Sequence, residues 1–202
     1  MIDAVDAASW RSRLLRSPEN ASLLSWLVDC GSLTARIEAC GCFAVHVLRQ
    51  EVACPNGDEA LVLGIDSRAS AWVREVMLSC DGRIVVFAHT VLPCVPRGPV
   101  TVWLARLGNR SLGAMLFAHP GFARGPMHFR RLNQRHPLFS SAARVLADGD
   151  QSPRTLWARR SLFAFAGQSV LVTEVFSPRV VELDRTVIAG GRAGSSASVR
   201  AD

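Results

Sequence analysis

A single α+β domain built on a mostly antiparallel sheet is the fold this sequence predicts. Three observations predict it. Short β-prone segments outnumber helical ones, and two pairs of them flank tight turns, at Cys80-Asp81-Gly82 and at Gly167-Gln168. No strand alternates with a helix in the manner of a parallel sheet. Finally, 202 residues, 49% hydrophobic and 20% charged, suffice for one domain with a full-sized core.

The elements follow in order. Residues 8–28 place Trp10, Leu14, Leu15, Leu23, Leu24, Trp26 and Leu27 at helical spacing, and Ser17-Pro18 divides the run into two helices. Ser32 or Thr34 caps a further helix through Glu38. Phe43 to Glu51 alternates as a strand, and Asp58 to Leu63 is another strand candidate. Ala71–Ser79 and Arg83–Leu92 form the first hairpin, because Asp-Gly between two alternating apolar runs favours a tight turn. Pro93, Pro96 and Pro99 end it, and Thr101–Leu107 returns to helix. Residues 108–153 are punctuated by glycine and proline. So long an irregular stretch in a compact domain is usually functional, and it is a candidate lid or a surface excursion. Thr155–Ala166 and Ser169–Phe176 form the second hairpin. Past Leu183 the chain is rich in small polar residues that bury little surface, so residues 1–183 are the expected domain and 184–202 a disordered tail.

Composition excludes several chemistries. The net charge of +6 is carried by 23 arginines, with no lysine, which rules out a Schiff-base or P-loop lysine within this sequence. The arginines are scattered, with tight pairs only at Arg130-Arg131 and Arg159-Arg160, so solvation rather than nucleic-acid binding is expected. The six cysteines show no C-x-x-C spacing and are expected to be reduced. The histidines (His46, His89, His119, His128, His136) lack H-E-x-x-H spacing, and neither G-x-S-x-G nor G-x-G-x-x-G occurs. No metal, cofactor or nucleophile is therefore expected. No apolar run is long enough to span a membrane, and the acidic N-terminus is unlike a signal peptide, so a cytoplasmic protein is expected.

What remains is a pair of charges on apolar faces. In Trp72-Val73-Arg74-Glu75-Val76-Met77-Leu78, Arg74 shares its strand face with Trp72, Val76 and Leu78. In Val170-Leu171-Val172-Thr173-Glu174-Val175-Phe176, Glu174 shares its face with Val170, Val172 and Phe176. A buried charge needs a partner or a ligand. Two arrangements are open: a salt bridge between the two strands, or a site that reads a small anionic ring. In the second, the guanidinium forks onto a carboxylate and the carboxylate accepts a hydrogen bond from a hydroxyl.

Four segments, in order, resemble the chorismate pyruvate-lyase family. They are Leu24-Ser25-Trp26-Leu27 with Ser32-Leu33-Thr34-Ala35-Arg36, the Trp72–Leu78 strand, Leu107-Gly108-Asn109-Arg110-Ser111-Leu112-Gly113, and Trp157-Ala158-Arg159-Arg160-Ser161-Leu162-Phe163 running into Leu171–Phe176. The resemblance covers residues from about 23 to 178. It implies a six-stranded antiparallel sheet with flanking helices around an enclosed pocket, no cofactor, and elimination of pyruvate from chorismate to give 4-hydroxybenzoate, the first committed step of ubiquinone biosynthesis. Carried over by position, Arg74 and Glu174 are the catalytic and substrate-binding pair, and Leu33 and Leu112 bind mainly through backbone amides. His89 stands where the family has arginine, which weakens any second anion contact from that strand. A monomer is expected. The alternative is a non-catalytic module binding a small aromatic acid, since a similar fold serves as the effector-binding part of some bacterial transcription regulators. Fewer than 30 residues precede the family-like region, too few for the DNA-binding domain such a regulator needs.

Overall fold

The computed structural model describes residues 10–94, 98–147 and 152–184. Its strands are β1 (Phe43–Ala53), β2 (Ala71–Cys80), β3 (Arg83–Pro93), β4 (Ala123–Arg124), β5 (His128–Leu132), β6 (Leu156–Phe165) and β7 (Gln168–Phe176). Its helices are α1 (Leu24–Leu27), α2 (Leu33–Glu38), α3 (Gly57–Leu63), α4 (Pro99–Ala105), α5 (Leu112–Ala118) and α6 (Phe139–Val145). A last helical turn at 180–184 keeps Val180 and Leu183 in the core, and Asp184 accepts hydrogen bonds from Trp26 and Arg36. The remainder of the expected tail, 185–202, lies outside the described residues.

Every strand pairing is antiparallel, in the order β1-β2-β3-β7-β6-β4. β5 also pairs with β6. Because β4 lies against Phe163–Ala164 and β5 against Leu156–Arg160, these two share one edge position, so seven strands make a sheet six positions wide. Both hairpin turns need positive φ at two positions, supplied by Asp81-Gly82 (49° and 76°) and Ala166-Gly167 (49° and 76°). The second turn therefore falls one residue earlier than the sequence suggests.

The sheet is covered on both faces. On one, α1 and α2 bury Trp26, Leu27, Leu33 and Ile37 against Val45, Val76, Leu78, Val86 and Phe176. On that face too, α4 and α5 bury Val100, Leu104, Leu112 and Leu116 with Leu92, Phe163 and Val170. On the far face, α6 packs Leu138, Phe139, Ala142 and Ala143 on Phe87, Ala158 and Val175.

Three sequence expectations are corrected. Residues 58–63 are helical, not a strand: Asn56 and Glu59 form a capping box, and Gly64 closes the helix in the left-handed region at φ 66°. Between Trp10 and Leu23 the chain is not helical. The Asn20 side chain bonds the Ser17 amide and the Leu15 carbonyl, and Arg11 pairs with Phe129. Residues 108–147 are not irregular but hold α5, β4, β5 and α6, each short and each bounded by glycine or proline turns.

Candidate active site

Sheet register decides which charges meet. Arg74 on β2 lies opposite Thr90 on β3, which lies opposite Val172 on β7. Two residues along, Val76, Ala88 and Glu174 form the adjoining row. Arg74 and Glu174 are thus two strands and two residues apart, about 12 Å between Cα atoms at ordinary sheet spacings. Both line one internal cavity of about 40 Å3 with Thr34, Val45, Val76, Leu78, Ala88, Thr90, Arg110, Ser111, Leu112, Gly113 and Val172.

The two charges do not pair with each other. Arg74 is 2% exposed, yet its hydrogen bonds all go to neutral oxygens. Nη1 donates to Gln50 Oε1, and Nη2 to the carbonyls of Gly108 (2.7 Å) and Arg110 (3.3 Å). Gly108 has φ 54°, a left-handed conformation that suits glycine. Burial pulls the Arg74 pKa below the usual arginine range, and no nearby anion offsets it. This is a desolvated cation with its charge uncompensated.

Glu174 is anchored differently. It lies directly opposite Arg159 on β6, and its Oε2 accepts from Arg159 Nε. Arg159 is 1% exposed and also donates from Nη1 to the carbonyls of Trp26 (2.8 Å), Leu27 (3.4 Å) and Asp29 (2.7 Å). Arg159 is the group that sequence reasoning missed: it fixes Glu174 and ties the end of α1 to the sheet. The hairpin register counted outward from the turn at Ala166-Gly167 pairs it with Glu174, but only once the structure has placed that turn.

Leu33 and Leu112 are the first residues of α2 and α5, capped by Ser32 and Ser111, whose hydroxyls accept from the amides of Ala35 and Ala114. Leu112 lines the cavity. Leu33 packs in the neighbouring core, and its successor Thr34 takes the lining position. Thr34 Oγ1 lies 2.6 Å from Ser111 Oγ, a hydrogen bond that joins the two helix starts. Gly113 permits this approach, since a Cβ there would come within 3.1 Å of Thr34 Oγ1. Outside this junction lies a groove of about 960 Å3 lined by Phe43, Trp103, Arg106, Asn109 and Met115, and it shares Val45, Arg110 and Ser111 with the cavity.

His89 faces away from the cavity. Its Nδ1 lies 3.1 Å from Glu75 Oε1, and its Nε2 lies 3.1 Å from Glu59 Oε1, a close ion pair off the line of a hydrogen bond. Burial disfavours the imidazolium, but Glu59 and Glu75 outweigh it and hold the pKa up to about 9. His89 in turn holds both carboxyls below their usual range, against burial. The cluster ties α3 to the sheet directly beneath Arg74, the chain neighbour of Glu75. The folded pKa of His89 exceeds its ordinary 6.5, so its contribution to stability is complete below pH ~6.5 and fades as pH rises through ~9. The glutamates have lowered pKa values, and their contribution fades as pH falls through the ordinary carboxyl range. Thermal melts from pH 6 to 9.5 are expected to fall in the wild type and to be markedly flatter in His89→Gln. Parallel curves would show that the imidazolium contributes nothing.

Among the described residues, no group of His, Cys, Asp or Glu is arranged to hold a metal ion, and no helix is long and apolar enough to cross a membrane. All six cysteines are free.

Comparison with known proteins adds the family. The chorismate lyase family profile matches residues 4–186. A probable chorismate pyruvate-lyase of Dechloromonas aromatica (strain RCB) is 50% identical over 177 residues, covering 87% of this chain and 98% of that protein. One from Aromatoleum aromaticum is 43% identical over 176 residues, covering 87% and 95%. Among solved structures, the effector domain of PhnF from Mycobacterium smegmatis aligns with TM-score 0.54 at 19% identity, covering 75% of this chain and 91% of that one, a likeness of fold alone. With a profile match over nearly its whole length and relatives of this identity, the chain belongs to the chorismate lyase family.

Proposed function

We propose that this protein is a chorismate pyruvate-lyase that converts chorismate to 4-hydroxybenzoate and pyruvate without a cofactor, the first committed step of ubiquinone biosynthesis in the cytoplasm. One observation carries the site assignment: the buried, anion-free guanidinium of Arg74 faces the same cavity as the Glu174 carboxylate. Arg74 takes a carboxylate of the substrate by charge-assisted hydrogen bonds. Glu174, oriented by Arg159, accepts a hydrogen bond from the ring hydroxyl.

The reaction breaks the bond between the ring carbon and the enolpyruvyl ether oxygen, and the electron pair leaves with that oxygen. The ring carbon bearing the hydroxyl loses its hydrogen, a proton completes pyruvate, and the ring becomes aromatic. Aromatisation supplies the driving force. The protein therefore has to orient the substrate and stabilise charge developing on the departing oxygen. The non-catalytic reading is not favoured, because the regulator likeness is one of fold at 19% identity while the relatives at 43–50% identity are named as lyases. Incubating purified protein with chorismate tests the proposal. Stoichiometric pyruvate and 4-hydroxybenzoate are expected, and binding without pyruvate release would overturn it.

A cavity of about 40 Å3 is far below the roughly 300–1,000 Å3 of ordinary small-molecule pockets, so an aromatic acid enters only when a wall moves. The wall between cavity and groove is the Gly108–Gly113 segment, held by Arg74 through two carbonyls and by Thr34 through Ser111. The candidate lid is thereby narrowed from the long 108–153 stretch to this short segment and α5. Lid opening often limits turnover, and 4-hydroxybenzoate retains the carboxylate and hydroxyl the site reads. Competitive inhibition by 4-hydroxybenzoate near or below KM is expected, with a burst of product in the first turnover. A linear time course, with inhibition only far above KM, would exclude release as the slow step.

A further inference from the structure

We propose that an irregularity in β1 serves the active site, and that Gln50 is a positioning residue for Arg74. The inference rests on the reading of Arg74 as the carboxylate-binding group.

Residues directly opposite each other in an antiparallel pair share a face. Val47 stands opposite Val76, on the cavity face. Regular alternation from Val47 would set Leu48 against Glu75 and Arg49 against Arg74, placing two guanidiniums side by side where one is already desolvated. The strand does not run regularly. Its register shifts between Val47 and Arg49, leaving Leu48 as an extra residue, 43% exposed. Beyond the bulge, Arg49 stands opposite Glu75 and Gln50 opposite Arg74. Bulges next to active sites re-aim side chains in this way.

The exchange alters both faces. On the far face, Arg49 joins His89 in lowering the pKa of Glu75. On the cavity face, a repelling cation is replaced by an amide oxygen that accepts from Arg74 Nη1. With Nη2 held by Gly108 and Arg110, the guanidinium plane is fixed from two sides by neutral acceptors. An arginine carries five N–H donors, and these bonds leave others for a ligand. Gln50 therefore orients the fork without cancelling its charge.

The test is steady-state kinetics with chorismate, inhibition by 4-hydroxybenzoate and thermal melting for wild type, Arg74→Ala, Gln50→Leu and Gln50→Glu. Loss of one hydrogen bond to a charged group predicts that Gln50→Leu falls about tenfold to a hundredfold in kcat/KM. The loss should lie mainly in KM, with a parallel rise in the 4-hydroxybenzoate inhibition constant, because both ligands present a carboxylate. Its melting temperature should stay within a few degrees of wild type. Gln50→Glu keeps the acceptor oxygen but pairs the guanidinium with an anion, so it should melt at or above the wild-type temperature and still bind both chorismate and 4-hydroxybenzoate weakly, a split that a merely structural role would not predict. Gln50→Leu within twofold of wild type in both constants, or Gln50→Glu binding both ligands as tightly as wild type, overturns the inference. If wild type releases no pyruvate, or Arg74→Ala is fully active, it is the underlying assignment that fails.

Discussion

Arg74→Ala is expected to lose at least two decades of kcat/KM with chorismate and remain folded. A fork of charge-assisted hydrogen bonds at roughly 1.5–3 kcal/mol each supports that figure. Arg74→Lys should also be poor, because an ammonium group cannot fork onto a carboxylate. Stability should move the other way. The guanidinium is desolvated with only neutral acceptors around it, so its charge opposes folding. Arg74→Met keeps much of the volume without the charge, and should melt at or above the wild-type temperature while remaining inactive. An Arg74→Ala enzyme retaining half of wild-type kcat/KM would sink the site assignment.

Glu174→Gln should lose both stability and activity. Its carboxylate, 17% exposed, is the anionic partner of the fully buried Arg159. Neutralising it leaves a buried cation without its counter-charge, a cost of about 3 kcal/mol, or roughly 6–12 °C in Tm for a domain of this size. Catalysis should fall about tenfold to a hundredfold, the worth of one hydrogen bond from the substrate hydroxyl to a charged acceptor. Kinetics at a temperature well below the lowered Tm separate the two effects. Full activity there would make Glu174 a purely structural partner of Arg159.

How much of this was legible beforehand depended on turns. Arg74 and Glu174 stood out because strand alternation alone places each on an apolar face, and the cavity lining agrees with that reading. The partner of Glu174 did not. With the turn at Gly167-Gln168, Glu174 would face Ser161; with the turn at Ala166-Gly167, it faces Arg159. One residue in a turn moves the cross-strand partner by two, and the left-handed conformation of Ala166 gave no sequence signal. The misread α3 is a shorter version of the same problem. Six residues of mixed polarity fit a strand or a helix equally well, and only the Asn56/Glu59 caps and Gly64 decide. Gln50 was illegible for a further reason: a bulge shifts parity, and alternation counted along β1 points Arg49, not Gln50, at Arg74.

The same bulge bears on what this molecule does beside its own copies. β1 is an edge strand, and an unpaired edge is a template on which another chain can add a strand. Leu48 and Val52, both substantially exposed, would make that edge adhesive. The shift at Leu48 splits the strand into two straight runs, Phe43–Val47 and Arg49–Ala53, and no incoming strand can follow both in one register. Straightening β1 would therefore do more than disturb catalysis. It would lengthen the flat, apolar edge open to self-association, so resistance to aggregation and the aim of the substrate-binding arginine depend on the same extra residue.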